Sequence, residues 1–201
     1  MQVSEPLKGW HSRGYHSHFD AAPVVQSVTF RLHDSVPAEL LVRWRSELLM
    51  DRRIGKAGSR SRAAALEKRS EDYEDAGHGE CWLRNPRIAQ IIQEALLYFD
   101  GKRYRILEWC IMPNHIHVLI VASPGHSLSD VVRTWKTFTA REANLLLGRK
   151  GGFWMPDYFD RYVRDENHLE AVRAYIRRNP VKAGLCESEE QWRWSSAWIR
   201  D

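Results

Sequence analysis

The feature that most constrains the fold is a pair of apolar, β-prone runs, Tyr104 to Met112 and Ile116 to Ala122, parted by Pro113-Asn114. A turn dipeptide between two such runs predicts an antiparallel hairpin. Other elements can be placed around it. Val24 to Leu32 is rich in β-branched and aromatic residues and reads as a strand. Pro37 to Leu49 carries Leu40, Leu41, Trp44 and Leu48 at helical spacing, with Ser35 as the expected cap and Pro37 suited to the first turn. Asn85-Pro86 opens a second helix, whose stripe is Ile88, Ile91, Ile92, Ala95, Leu96 and Phe99. Leu128 to Leu147 reads as a third helix, Tyr158 to Val163 as a short strand, and the segment capped by Asn167 with Glu170 and closed by Pro180 as the last helix.

The order βα(α)ββαβα predicts an α+β fold, a ferredoxin-like or RRM-like sandwich in which an antiparallel-containing sheet is covered on one side by helices. A chain of 201 residues that is 43% apolar can bury one core, so residues 1–201 are expected to form a single domain. Residues 1–23 read as an N-terminal arm. Residues 51–79, highly charged and poor in apolar groups, read as an insertion that is exposed or partly disordered, and not the first place to seek a catalytic group.

Cys81, Cys110 and Cys186 form no CxxC pair, which argues against a disulfide framework or zinc finger and for a reducing compartment. No apolar run approaches the roughly 20 residues of a membrane span, and the first residues lack a signal core. These features predict a soluble, cytoplasmic protein without membrane contact. The net charge of +4 arises from 30 Lys and Arg against 26 acids, so clustering of the basic groups matters more than their sum.

The candidate chemistry lies in two segments. In Met112-Pro113-Asn114-His115-Ile116-His117, the histidines are two apart on a strand and share a face, so together they can hold one divalent metal. They could instead be polar residues on the exposed side of an edge strand, and a second such pair, His16-Ser17-His18, shows how easily the pattern arises. In Ala174 to Pro180, Tyr175 and Asn179 are four apart and lie one helical turn from each other. Tyr175 could instead be a core aromatic and Asn179 a helix cap. The two segments make each other useful, because a phenol is a poor nucleophile unless a metal activates its phosphate target.

MPNHIHVLI, then YFDRYVRDENHLEAVRAYIRRNPVKAGL, then WRWSSAW together resemble the REP-associated tyrosine transposases, a bacterial branch of the HUH endonucleases related to single-tyrosine insertion-sequence transposases. The resemblance runs from Val24 to Ala197 and is weakest between Asp51 and Gly79. It implies that Tyr175 is the nucleophile and that His115, His117 and Asn179 hold Mg²⁺ or Mn²⁺. It further implies cleavage of single-stranded DNA beside palindromic hairpins through a 5′-phosphotyrosine, by a monomer acting in cis, with a homodimer as the alternative. Tyr158 and Tyr162 are rival nucleophiles.

Lys136, Arg141, Arg161, Arg164, Arg177, Arg178 and Lys182 are the expected DNA contacts, since they concentrate charge around these segments. Trp10, Trp135, Trp154, Trp192, Trp194 and Trp198 are candidates for base stacking, and residues 9–20, with Trp10, His11, Arg13 and Tyr15, for a base-reading arm. Two other readings compete: a non-catalytic hairpin-binding module of the same fold, and a zinc hydrolase, which is disfavoured because no HExxH or acidic companion motif is present.

Overall fold

The computed structural model of the chain describes residues 9–12, 17–20, 23–51 and 58–198. Two short strands, β1 (Gly9–Ser12) and β2 (Ser17–Asp20), pair as a separate antiparallel hairpin. Of the proposed reading arm, Arg13 and Tyr15 lie outside the described residues. The main chain path continues through β3 (Val25–Arg31), α1 (Ala38–Met50) and α2 (Gly58–Asp75) to α3 (Pro86–Leu97). It then runs through β4 (Tyr104–Ile111), β5 (His115–Ala122), α4 (Leu128–Leu146), β6 (Phe159–Tyr162) and α5 (Glu166–Lys182).

The central sheet has four strands in the order β4-β5-β3-β6, every neighbouring pair antiparallel. This is the mixed α/β sandwich the element order predicts. It places the histidine strand, β5, in the interior of the sheet rather than at an edge.

Both faces of β5 are buried, which explains its nearly continuous apolar sequence. Ile116, Val118 and Ile120 join Val28 and Phe30 of β3 under Ile88, Ile92 and Leu96 of α3 and Val131, Val132 and Trp135 of α4. Leu119 lies on the opposite face, with Cys110, Met112 and Ile176 of α5. The expected cover of helices on one side therefore describes α3 and α4. The last helix, α5, crosses the other face, because that face also presents apolar groups that must be shielded.

Local chemistry accounts for the helix ends. Asn85 accepts from Arg87 N, Ser127 accepts from Asp130 N, and each caps the helix that follows. Two expected caps differ. Ser35 is fully buried and its hydroxyl donates back to the Leu32 carbonyl, leaving α1 to begin after Pro37 without a side-chain cap. Asp165, not Asn167, caps α5 by accepting from His168 N at 2.8 Å. That helix also runs past Pro180 to Lys182. A proline so near a C-terminus removes only one late hydrogen bond, and burial of Asn179 and Pro180 outweighs the local preference.

The largest departure is at residues 51–79. Instead of an exposed insertion, this segment carries α2, which packs against α1 and buries Glu67, Ser70 and Glu74. Their spacing marks one helical face, but a polar one, so no apolar periodicity reveals it. Among the described residues, no helix is long and apolar enough to cross a membrane.

Two stability predictions follow from this packing. Phe30 meets Trp154 edge-on at 4.9 Å and stacks on Trp135 at 6.4 Å, so Phe30→Ala should cost about 3–5 kcal/mol in urea unfolding. Burial first, and then repulsion by Glu74, raise the Glu67 carboxyl to about 8, against an opposing pull from Arg31. A raised carboxyl contributes stability below its unfolded pKa of 4.5, and that contribution is lost as pH rises through about 8. Glu67→Gln should therefore gain stability relative to the parent across this window and level off above it; a constant difference would refute the assignment.

Candidate functional site

Cross-strand register builds the site. Thr29 and Arg31 of β3 stand opposite His117 and His115 of β5, and Cys110 of β4 stands opposite His117 from the other side. His115 and His117 share the face that α5 covers, and each is only 1% exposed. The alternative of an exposed edge strand is thereby overturned.

Hydrogen bonds determine which ring nitrogens are free. The Asn114 amide nitrogen donates to the carbonyls of Glu74 at 3.0 Å and His78 at 2.9 Å. Its oxygen must then be the atom 2.8 Å from His115 Nδ1, and since an amide oxygen can only accept, Nδ1 carries the proton. His117 Nε2 receives the Asn179 amide at 2.9 Å, so its proton sits on Nδ1, which meets Thr29 Oγ1 at 2.9 Å. Burial holds both rings neutral. It pushes His117 down to about 3, with Lys182 adding to the effect, and pushes His115 well below its ordinary value, with His117, Arg31 and Lys182 adding.

The two unprotonated Nε2 atoms therefore stand 3.0 Å apart, and a cation bound by both would take the place of the Asn179 N–H now donated to His117. Lone pairs at that separation repel unless a cation lies between them, and neutral imidazoles whose Nδ1–H groups are anchored are the form in which histidine binds metals. Around them, Tyr175 Oη, Asn179 Oδ1 and Asp75 Oδ1 are buried oxygens without hydrogen-bond partners. Buried polar atoms are rarely left so, and three beside one His pair fit a divalent cation well. Among the described residues no three His, Cys, Asp or Glu side chains already form a closed metal cage, so an amide oxygen or a shift of Asp75 is needed to complete one.

Tyr175 lies edge-on to His117, with ring centroids 5.4 Å apart. Its phenol is pushed above the ordinary tyrosine value by burial first and then by Glu71 and Asp75, while the neighbouring Asn179 side chain works the other way. The rivals are placed differently. Tyr158 is buried with Phe30 and Trp135, in the core on the far side of the sheet, and Tyr162 pairs with Gln26 at the outer strand.

The seven expected DNA-binding residues do not form one cluster. Lys182 stands at the site, with its ammonium 2.6 Å from Asp75 Oδ2 and 6.0 Å from the Tyr175 ring. Arg177 and Arg178 lie on α5 and pair with Glu108 at 2.5 Å and Glu189 at 3.1 Å. Arg161 and Arg164 are exposed on and just after β6. Arg141 and Lys136 sit on α4, which covers the opposite face. Lys136 donates to the carbonyls of Met155, Pro156 and Asp157 at 2.6, 2.9 and 3.1 Å, tying down the loop before β6. Of the tryptophans, Trp135 and Trp154 are core, and Trp192 donates to the Ile111 carbonyl at 3.0 Å. Arg193 lies over both Trp194 and Trp198.

Sequence reasoning missed Thr29, Asn114 and Asp75. Asn114 reads as a turn residue and Thr29 as a strand residue, while Asp75 falls in the segment set aside as an insertion. The only available signal was the direct adjacency of Asn114 to His115.

Residues 82–179 match the profile of the family described as Transposase IS200 like. The matched segment, which contains His115, His117, Tyr175 and Asn179, is similar to that family. A Haemophilus influenzae protein assigned as a REP-associated tyrosine transposase is 31% identical over 98 residues, covering 43% of this chain and 55% of that one. The chain thus spans about half the length of this curated relative. A solved structure of a REP-associated tyrosine transposase bound to a REP hairpin shares the fold, with a TM-score of 0.55 and 15% identity, over 95% of this chain and 93% of that one.

The tautomer assignment has a direct readout. Imidazole ¹⁵N spectra at pH 6 should show His115 neutral with its proton on Nδ1, although an exposed histidine would be mostly charged there. Asn114→Ala should lose that pattern and cost about 2–3 kcal/mol, because it leaves buried carbonyls and a ring N–H without partners.

Proposed function

We propose that this protein is a metal-dependent endonuclease and strand transferase of the tyrosine transposase type, acting on single-stranded DNA at palindromic hairpins. The observation that carries this reading is the pair of unprotonated Nε2 atoms 3.0 Å apart, with Tyr175 and Asn179 presented one helical turn apart beside them. His115, His117 and Asn179 would hold Mg²⁺ or Mn²⁺. When bound, such an ion polarises a backbone phosphate and lowers the cost of charge developing on it.

The chain's own groups do the rest. Asn114 and Thr29 hold the imidazoles in the tautomers that present Nε2. Helix α5 packs over the histidine face and presents Tyr175 beside His117 as the nucleophile. Tyr175 Oη attacks the phosphorus in line, the P–O3′ bond breaks, and the phenolic proton departs to solvent while the released 3′ oxygen gains one. The products are a 5′-phosphotyrosine and a free 3′-hydroxyl. Because the new ester retains the energy of the broken bond, a 3′-hydroxyl from another strand can reverse the step and join DNA without ATP.

The raised affinity of Tyr175 for its proton fits this scheme. Glu71 and Asp75 oppose the phenolate, and a cation held by the histidines would supply the opposing positive charge. Tyr175 reaches His117 within one chain, which supports action in cis by a monomer. Of the seven expected contacts, Lys182 stands at the site, with Arg161, Arg164, Arg177 and Arg178 as backbone contacts farther out, and Arg141 and Lys136 on the opposite face. The relatives named above support a palindromic hairpin as the substrate.

Incubation with single-stranded palindromic DNA from the chain's own genomic neighbourhood and Mn²⁺ should give a covalent protein–DNA band on denaturing gels. Chelation should abolish it, and Tyr175→Phe should remove it by at least a thousandfold, since no other group forms the ester. Tight hairpin binding with no adduct, unaffected by chelation, would instead identify a non-catalytic binding module. An adduct surviving the substitution would move the nucleophile to Tyr158 or Tyr162.

A further inference from the structure

The geometry points to Asp75, at the end of α2, as a further protein ligand of the metal; this inference rests on the metal-dependent reading above. The Asp75 side chain is 9% exposed, and its Oδ1 has no hydrogen-bond partner and lies 3.8 Å from His115 Nε2. Lys182 holds the other oxygen, Oδ2, at 2.6 Å. The carboxylate is thus fixed by one oxygen and aims the second at the His pair, the presentation of a monodentate ligand.

The spacing suits a shared cation. For bonds of roughly 2.1 Å in an octahedral site, neighbouring donors stand about 3.0 Å apart and opposite ones about 4.2 Å. The two Nε2 atoms, at 3.0 Å, match neighbouring positions, and Asp75 Oδ1, at 3.8 Å from His115 Nε2, falls between the two limits. The chemistry also fits: two imidazoles and an amide form an uncharged donor set, and a carboxylate oxygen adds the hard anionic donor that Mg²⁺ and Mn²⁺ prefer.

The position of Asp75 is itself supported. The carbonyl of its neighbour Glu74 accepts from Asn114, the residue that also orients His115, and the Glu74 carboxylate pairs with Arg31 at 2.7 Å. The end of α2 is thereby tied to both strands that carry the site. On this view the charged segment before residue 79 supplies one wall and one ligand of the metal centre.

The test uses the full chain and Mn²⁺ alone, with free ion counted by electron paramagnetic resonance and folding checked by circular dichroism. The parent should bind one Mn²⁺ and His115→Ala should lose it. Asp75→Asn should weaken binding at least tenfold and change the visible spectrum of the Co²⁺-loaded protein. Asp75→Cys provides a second route should the asparagine variant not fold, because a thiolate ligand gives a near-ultraviolet cobalt charge-transfer band that the parent lacks. Mn²⁺ binding unchanged in Asp75→Asn, or weakened with an unchanged cobalt spectrum, would overturn the assignment of Asp75 while leaving the His site standing, as would a folded Asp75→Cys without the band. Absence of Mn²⁺ binding in the parent would overturn the metal-dependent reading and this inference together.

Discussion

Burial of both faces of β5 is the constraint on which the rest of the molecule depends. One face, Ile116, Val118 and Ile120, anchors the sheet to α3 and α4, and the other carries His115 and His117 beneath α5. A strand cannot slip by one residue under such conditions without exchanging its apolar and imidazole faces. The spacing of the histidines and their depth in the protein are therefore consequences of core packing, and the site inherits its rigidity from the hydrophobic effect.

Burial then sets the chemistry. Imidazoles removed from water lose their affinity for protons, and partners on each Nδ1 turn both Nε2 atoms toward a common point. On the opposite side, α2 brings Glu71, Glu74 and Asp75 toward Tyr175, which strengthens the hold of the phenol on its proton. Uncharged nitrogens and surplus acids around one point make a local environment that favours a cation and holds the Tyr175 phenol protonated.

The parts of the fold that could be read from the chain were those whose physics is local. The 104–122 hairpin, the capped stripe after Asn85 and the helix from Leu128 all carry their own periodicity and terminal signals. α2 does not, because the face it buries is Glu67, Ser70 and Glu74, and a polar stripe resembles an exposed one until its partners are known. The start of α5 and the role of Ser35 differ for a related reason. Several residues nearby can cap, and which one does so depends on where tertiary contacts hold the chain.

The sequence by itself determined the order of elements, the antiparallel sheet, and the pairing of His115 and His117 with Tyr175 and Asn179 as the residues of interest, because strand and helix periods set which side chains share a face. Only the tertiary structure decided that the His strand is interior, that Thr29 and Asn114 orient the rings, that Lys136 serves a loop, and that Asp75 reaches the site. Those outcomes depend on contacts between residues far apart in the chain, such as Thr29 with His117 and Asn114 with the end of α2, and no local pattern encodes a distance across the sheet.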